Sequence, residues 1–95
     1  MLAALPYFAA LMTLQSFDEL GWEEQLQVIK EEGAMVGTRD DSIHYMHLYQ
    51  LHSFYVELTY NKEDKELWRI GPFDHPVFLH PYLEQIDISK LQLGE

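Results

Sequence analysis

The chain has 95 residues, 47% of them apolar and 14% aromatic, with four prolines and five glycines; this is the composition of one small globular domain with room for one core and a shallow pocket. Sixteen Asp and Glu stand against six Lys and Arg, a formal charge of −10, which argues against nucleic-acid phosphates as partners and against adsorption to an anionic membrane. There is no cysteine, so disulfides, thiol chemistry and thiolate metal sites are excluded and a reducing, cytoplasmic setting is expected.

Residues 1–12 are uninterrupted by charge, and the first charged side chain is Asp18. The run is too short for a membrane span, which needs about 20 residues. A secretion signal would place a basic residue ahead of it, yet the first is Lys30, and no Ala-x-Ala pair occurs. Residues 1–14 therefore read as an apolar arm on a single α+β domain covering 15–95. The arm is either sequence upstream of a native start at Met12, or a short helix with Pro6 in its first turn and Tyr7, Phe8, Leu11 and Leu14 on its sides. An ordered apolar arm must bury itself on its own sheet or on another chain.

Ser16 and Glu19 match a capping box, with Ser16 as the N-cap. After Gly21, the segment Trp22–Glu32 has helical spacing, with Trp22, Leu26 and Ile29 at i, i+4, i+7 facing inward. Glu23, Glu24, Gln27, Lys30 and Glu31 form the outer face, and Gly33 ends the helix. Glu31 and Glu32 oppose the helix dipole, a cost of about 0.3–1 kcal/mol each where exposed, and a binding role would account for them.

From residue 34 the period changes to two. Strands are expected at 34–39, 43–51, 54–60 and 66–72, joined by an Asp40-Asp41 turn, a tight His52-Ser53 turn and a polar loop at 61–65. With that loop, Tyr60 opposes Glu66, Leu58 opposes Trp68, Val56 opposes Ile70, and Glu57 meets Arg69 as a cross-strand ion pair. The tight turn sets Tyr49 opposite Val56 and Leu48 opposite Glu57. One sheet face then collects Val36, Ile43, Tyr45, Tyr49, Leu51, Phe54, Val56, Leu58, Tyr60, Trp68 and Ile70, and this is the predicted core face. The Trp22–Glu32 helix and a C-terminal helix with Leu79, Leu83 and Ile86 inward would cover it, with Pro81 in the first turn or at a kink. Ile88, Leu91 and Leu93 form a tail along the body.

The other face carries Met35, His44, Met46, Leu48, Gln50, Tyr55, Glu57, Thr59, Leu67 and Arg69. A solvent-facing sheet surface is normally more polar than this. The apolar arm, a second copy in a symmetric dimer, or a foreign partner or ligand would cover it. The candidate interaction residues are Met46, Leu48, Gln50, Tyr55, Glu57, Leu67 and Arg69 on this face, and Glu23, Glu24, Glu31 and Glu32 on the acidic helix.

Chemistry is sparse. His44 and His47 are three apart on a strand, so they point to opposite faces and cannot chelate together. His75 and His80 flank prolines, and a zinc site needs three or four ligands. Asp40-Asp41 fits a turn, and His52-Ser53 is not a triad by adjacency alone. Glu57, Tyr55 and Arg69 are explained more simply by a cross-strand ion pair than as an acid–base trio. No phosphate-binding glycine motif occurs. We therefore expect no catalytic residue, no cofactor and no metal.

The run from Leu48 to Glu57 (LYQLHSFYVE), followed by Phe73 and then by Pro81-Tyr82-Leu83-Glu84-Gln85-Ile86-Asp87, resembles a group of small bacterial proteins of unknown function over about residues 13–93. The resemblance implies a compact α+β domain that opens with a helix like the one at 17–33, and it transfers no active site. The expected architecture is thus a helix, a four-stranded antiparallel meander and a C-terminal helix. The expected function is a non-enzymatic, acidic protein-interaction module that self-associates as a homodimer and binds a basic protein partner. The alternatives are a small-ligand or metal-binding domain built on Glu57, Arg69, Tyr55 and the histidines, or an immunity-type inhibitor of a basic protein.

Overall fold

Four consecutive strands pair antiparallel in the order β1-β2-β3-β4, and the computed structural model describes residues 12–85 of the chain. Two helices, α1 (Leu14–Asp18) and α2 (Trp22–Glu32), precede the sheet of β1 (Ala34–Asp40), β2 (His44–Leu51), β3 (Phe54–Asn61) and β4 (Leu67–Phe73), and a 3-10 helix (Pro76–Tyr82) follows it. The architecture is α+β, with helices first, a meander and a short C-terminal helical piece. No helix among the described residues is long and apolar enough to cross a membrane. Residues 1–11, and with them most of the expected arm, lie outside the described residues, as do Ile86, Ile88, Leu91 and Leu93.

The first helix starts earlier than expected. Thr13, not Ser16, is the N-cap: it is extended, and its hydroxyl accepts a hydrogen bond from the Ser16 backbone N–H at 3.1 Å, which satisfies one of the free donors of the first turn. Met12 and Leu14, at the end of the expected arm, pack against the core. The bounds of α2 are as expected, and Glu24 accepts from the Gly21 N–H at 3.3 Å. Its inward face is not. Gln25 and Ile29 are buried while Trp22 and Leu26 are exposed. The Gln25 amide donates to the Phe17 carbonyl at 2.9 Å, and fully buried Phe17 ties the end of α1 into the core, which fixes the rotation of α2 about its axis.

The register of β2 on β3 is the expected one: Leu48 faces Glu57, Tyr49 faces Val56, and Leu51 and Phe54 close the two-residue turn. His52 takes the left-handed conformation (φ 49°) that this turn requires. Each edge strand contains a β-bulge. In β1 the pairing passes from Met35–Tyr49 to Gly37–Leu48, leaving Val36 as the extra residue. In β4 it passes from Tyr60–Leu67 to Thr59–Arg69, leaving Trp68 extra. An extra residue in one strand reverses the facing of everything beyond it. Val36 therefore packs on the second face with Leu48 and Tyr55, and Leu67 packs under the helices, the reverse of the simple alternation. Met35, Ile43 and Trp68 are exposed; of these Met35 shares the Tyr49 side of the sheet, and Trp68 stacks on His44 at 5.1 Å. The register beyond the β4 bulge also slips by two residues, so Leu58 faces Ile70, Val56 faces Pro72 and Glu57 faces Gly71.

The helices cover one sheet face, where Phe17, Ile29, Leu51, Phe54, Val56 and Leu58 form the larger cluster. The 3-10 helix crosses to the other face, contrary to the expectation that both ends of the chain share one side. There Leu79 and Tyr82 pack on Leu48 and Tyr55. Pro81 has no N–H to give to the residue 77 carbonyl, which disfavours an α-helix, and a three-residue repeat puts Leu79 and Tyr82 in line. The His75 ring nitrogen Nδ1 caps the segment by accepting from the Val77 N–H at 3.1 Å. Leu83, expected to face inward, is 37% exposed. A Cβ on Gly37 would stand 2.9 Å from the Tyr82 ring, so β1 is bare where this helix crosses it. Beyond it, the Gln85 amide pairs with Thr38, accepting from its N–H at 2.9 Å and donating to its carbonyl.

Candidate functional site

Glu57 is the focus of polar contacts on the second face. One carboxylate oxygen lies 3.2 Å from Nε of Arg39 on β1 and accepts from the Tyr82 hydroxyl at 2.5 Å. The Arg39 guanidinium also lies over the Tyr82 ring, 5.6 Å from its centroid. Burial, followed by the hydrogen bond to Glu57, holds the Tyr82 phenol well above its ordinary range. A protonated phenol and a guanidinium on one carboxylate form a clamp between β1, β3 and the 3-10 helix. The partner expected for Glu57 is Arg69, but the register slip sets Gly71 opposite Glu57 and the ion pair is made by Arg39.

Arg69 is exposed and has no ion pair or hydrogen bond among the described residues. Its side chain folds back over Gly71, where an added Cβ would collide with the guanidinium. A cavity of about 370 Å³ opens beside it, walled by Pro72, Phe73, Val77, Phe78 and Pro81, with His80, Arg39 and Glu57 also lining it. Phe73 stacks on Tyr55 at 5.7 Å and meets Phe78 at 5.6 Å, so a fixed aromatic base supports an exposed aromatic rim.

Of the seven residues expected to interact on this face, Met46, Leu48 and Tyr55 are buried, and Leu67 lies on the other face. Gln50 and Glu57 are half-buried, leaving Arg69 as the exposed one. The apolar character of the face is accounted for by its own 3-10 helix. Neither Arg39 nor Tyr82 was anticipated. The spacing of three from Leu79, directly after Pro81, is the local signal for Tyr82, and Arg39 has none beyond being one of six cations.

The acidic helix is a second candidate. Glu23, Glu24, Glu31 and Glu32 are all exposed. The Gln27 amide donates to Glu31 at 2.5 Å, and Glu32 lies 3.9 Å from Nε2 of His52 in the β2–β3 turn, so both unfavourable C-terminal carboxylates have local company. Trp22 and Leu26, one turn apart on the same helix, are 48% and 36% exposed. Several other acids and histidines have local partners. Asp41 accepts from the Ile43 and His44 N–H groups at 2.9 and 2.7 Å, which lowers its pKa, and Asp40 pairs with Lys62 at 2.9 Å. His44 stacks on Trp68 and His47 lies against Tyr60 on the opposite face. No group of three or more metal-capable side chains occurs among the described residues. No family model, curated protein or solved structure matches the chain.

Proposed function

We propose that the protein is a non-enzymatic protein-interaction module that docks a basic, partly apolar surface of another protein against the outer side of α2. The observation that carries this is the exposure of Trp22 and Leu26 (48% and 36%) on a helix that also presents Glu23, Glu24, Glu31 and Glu32. A tryptophan and a leucine one turn apart supply an apolar anchor, and tryptophan is among the residues that most often dominate binding energy. Glu23 lies next to them on the helix surface, and the net negative charge of the helix steers a cationic partner at long range. Closure of the second sheet face by Leu79 and Tyr82 supports a docking surface on α2 over self-association through that face.

An amphipathic peptide of alternating lysine and leucine, titrated into the whole chain and followed by tryptophan fluorescence, tests the reading. Affinity should fall with added salt and should drop about tenfold or more in Trp22→Ala, as for other buried tryptophan anchors. If Trp22→Ala binds as the parent does, only bulk charge is at work and the reading fails.

A further inference from the structure

We infer that the cavity beside Arg69 is a binding site for a small organic carboxylate carried on an aromatic or branched apolar body, a function separate from docking on α2. The chain carries ten more negative than positive charges, yet two of its six Lys and Arg line this one cavity. Glu57 neutralises Arg39 and is itself held by Tyr82. That leaves the guanidinium of Arg69 as the uncompensated charge, with no carboxylate partner among the described residues. A guanidinium offers paired donors that match a carboxylate in two-point contact.

Arg69 is also directed. It lies across Gly71 in a slot that exists because Gly71 has no Cβ, in the lining of a cavity whose other walls are the neutralised Arg39–Glu57 pair, His80 and a run of aromatic and aliphatic side chains. Phe73 is fixed against Tyr55, while Val77 and Phe78 are each 59% exposed at the rim, apolar area that a ligand body would cover. A volume of about 370 Å³ sits at the low end of small-molecule sites and suits a compact acid. With Arg39 already paired to Glu57, one unpaired cation beside aromatic and aliphatic walls selects for an anion with an apolar body and against inorganic anions, which have no surface to bury.

Phenylacetate is a suitable probe, titrated into the isotope-labelled whole chain and followed through the backbone amides of Gly71, Phe73, Val77 and Phe78. The expected result is a saturable shift at those amides, with phenylacetamide and acetate each binding about tenfold more weakly, because one lacks the charge and the other the apolar body. Arg69→Gln should lower phenylacetate affinity about tenfold with the dispersed spectrum of the fold intact. Gly71→Ala keeps every charge but displaces the guanidinium, and it should lower affinity comparably. Equal binding of phenylacetate and phenylacetamide, unchanged affinity in Arg69→Gln, or no saturable shift at these amides would each overturn the site. Trp22→Ala should leave phenylacetate binding unchanged, which separates this test from that of the α2 surface.

Discussion

Beneath α1 and α2 the sheet meets a layer of Phe17, Ile29, Leu51, Phe54, Val56 and Leu58, where the buried amide of Gln25 is satisfied by the Phe17 carbonyl. Beneath the 3-10 helix it meets a smaller cluster, Leu48, Tyr55, Leu79 and Tyr82, and at its margin a carboxylate shared by an arginine and a phenol. The helical side holds the fold through apolar area, a non-directional force that tolerates some change of shape. The other side is held by fewer apolar contacts and a directional polar clamp, which fixes where the 3-10 helix crosses and so shapes the cavity next to it. A small domain can thus separate the layer that supplies stability from the layer that sets geometry.

The largest loss of stability is expected from Phe17→Ala, which empties the centre of the helical layer and should cost about 3–5 kcal/mol in urea denaturation. A smaller effect is expected from Tyr82→Phe, which keeps the ring on Gly37 and Leu48 but removes the donor to Glu57; hydrogen bonds to charged groups suggest about 1.5 kcal/mol. The pH dependence should differ as well. Because the folded protein raises the Tyr82 pKa above the ordinary 10.0, its contribution is fully present below pH 10 and is lost as pH rises beyond it. Tyr60, raised by burial, acts in the same sense from the other face. Alkaline titration of stability should therefore fall less steeply in Tyr82→Phe than in the parent, with a remainder from Tyr60.

Trp22→Ala should change stability by no more than about 0.5 kcal/mol, the range of surface substitutions, in spite of the size of the side chain removed. A larger loss would mean that α2 rests on Trp22 after all. Asp41→Asn serves as a control that belongs to neither layer. Its turn hydrogen bonds lower the Asp41 pKa from 3.8, so the parent gains from them above that pH and loses the gain as pH falls below it. The variant should show a flatter acid limb and little change at neutral pH.

Strand count, strand order, the β2–β3 register and the bounds of α2 were all legible in the sequence, because alternation and helical spacing are local signals. The failures share physical causes. Two bulges, at Val36 and Trp68, exchanged the faces of Met35 and Val36 and of Leu67 and Trp68, and an inserted residue leaves no mark in a hydrophobic pattern that reads the same on either side. Trp22 and Leu26 fitted the inner stripe of α2, but Gln25 won the inward place through one hydrogen bond to Phe17, a contact between segments that spacing cannot reveal. At the candidate site, Glu57 and Arg69 were singled out, yet the pairing between them was displaced by Arg39, which lies two strands away. Long-range partners of a charge are decided by register, and register by the bulges.

Gln85 holds Thr38 by both its backbone N–H and its carbonyl, and its side-chain amide is chemically a peptide group. The outer edge of β1 is therefore paired at Thr38 as though a further strand one residue long lay beside it. An open strand edge invites a second chain to add itself there and extend the sheet. Here a single amide occupies the midpoint of that edge, so a would-be added strand must first displace it. One glutamine outside the sheet thereby opposes strand addition at the β1 edge.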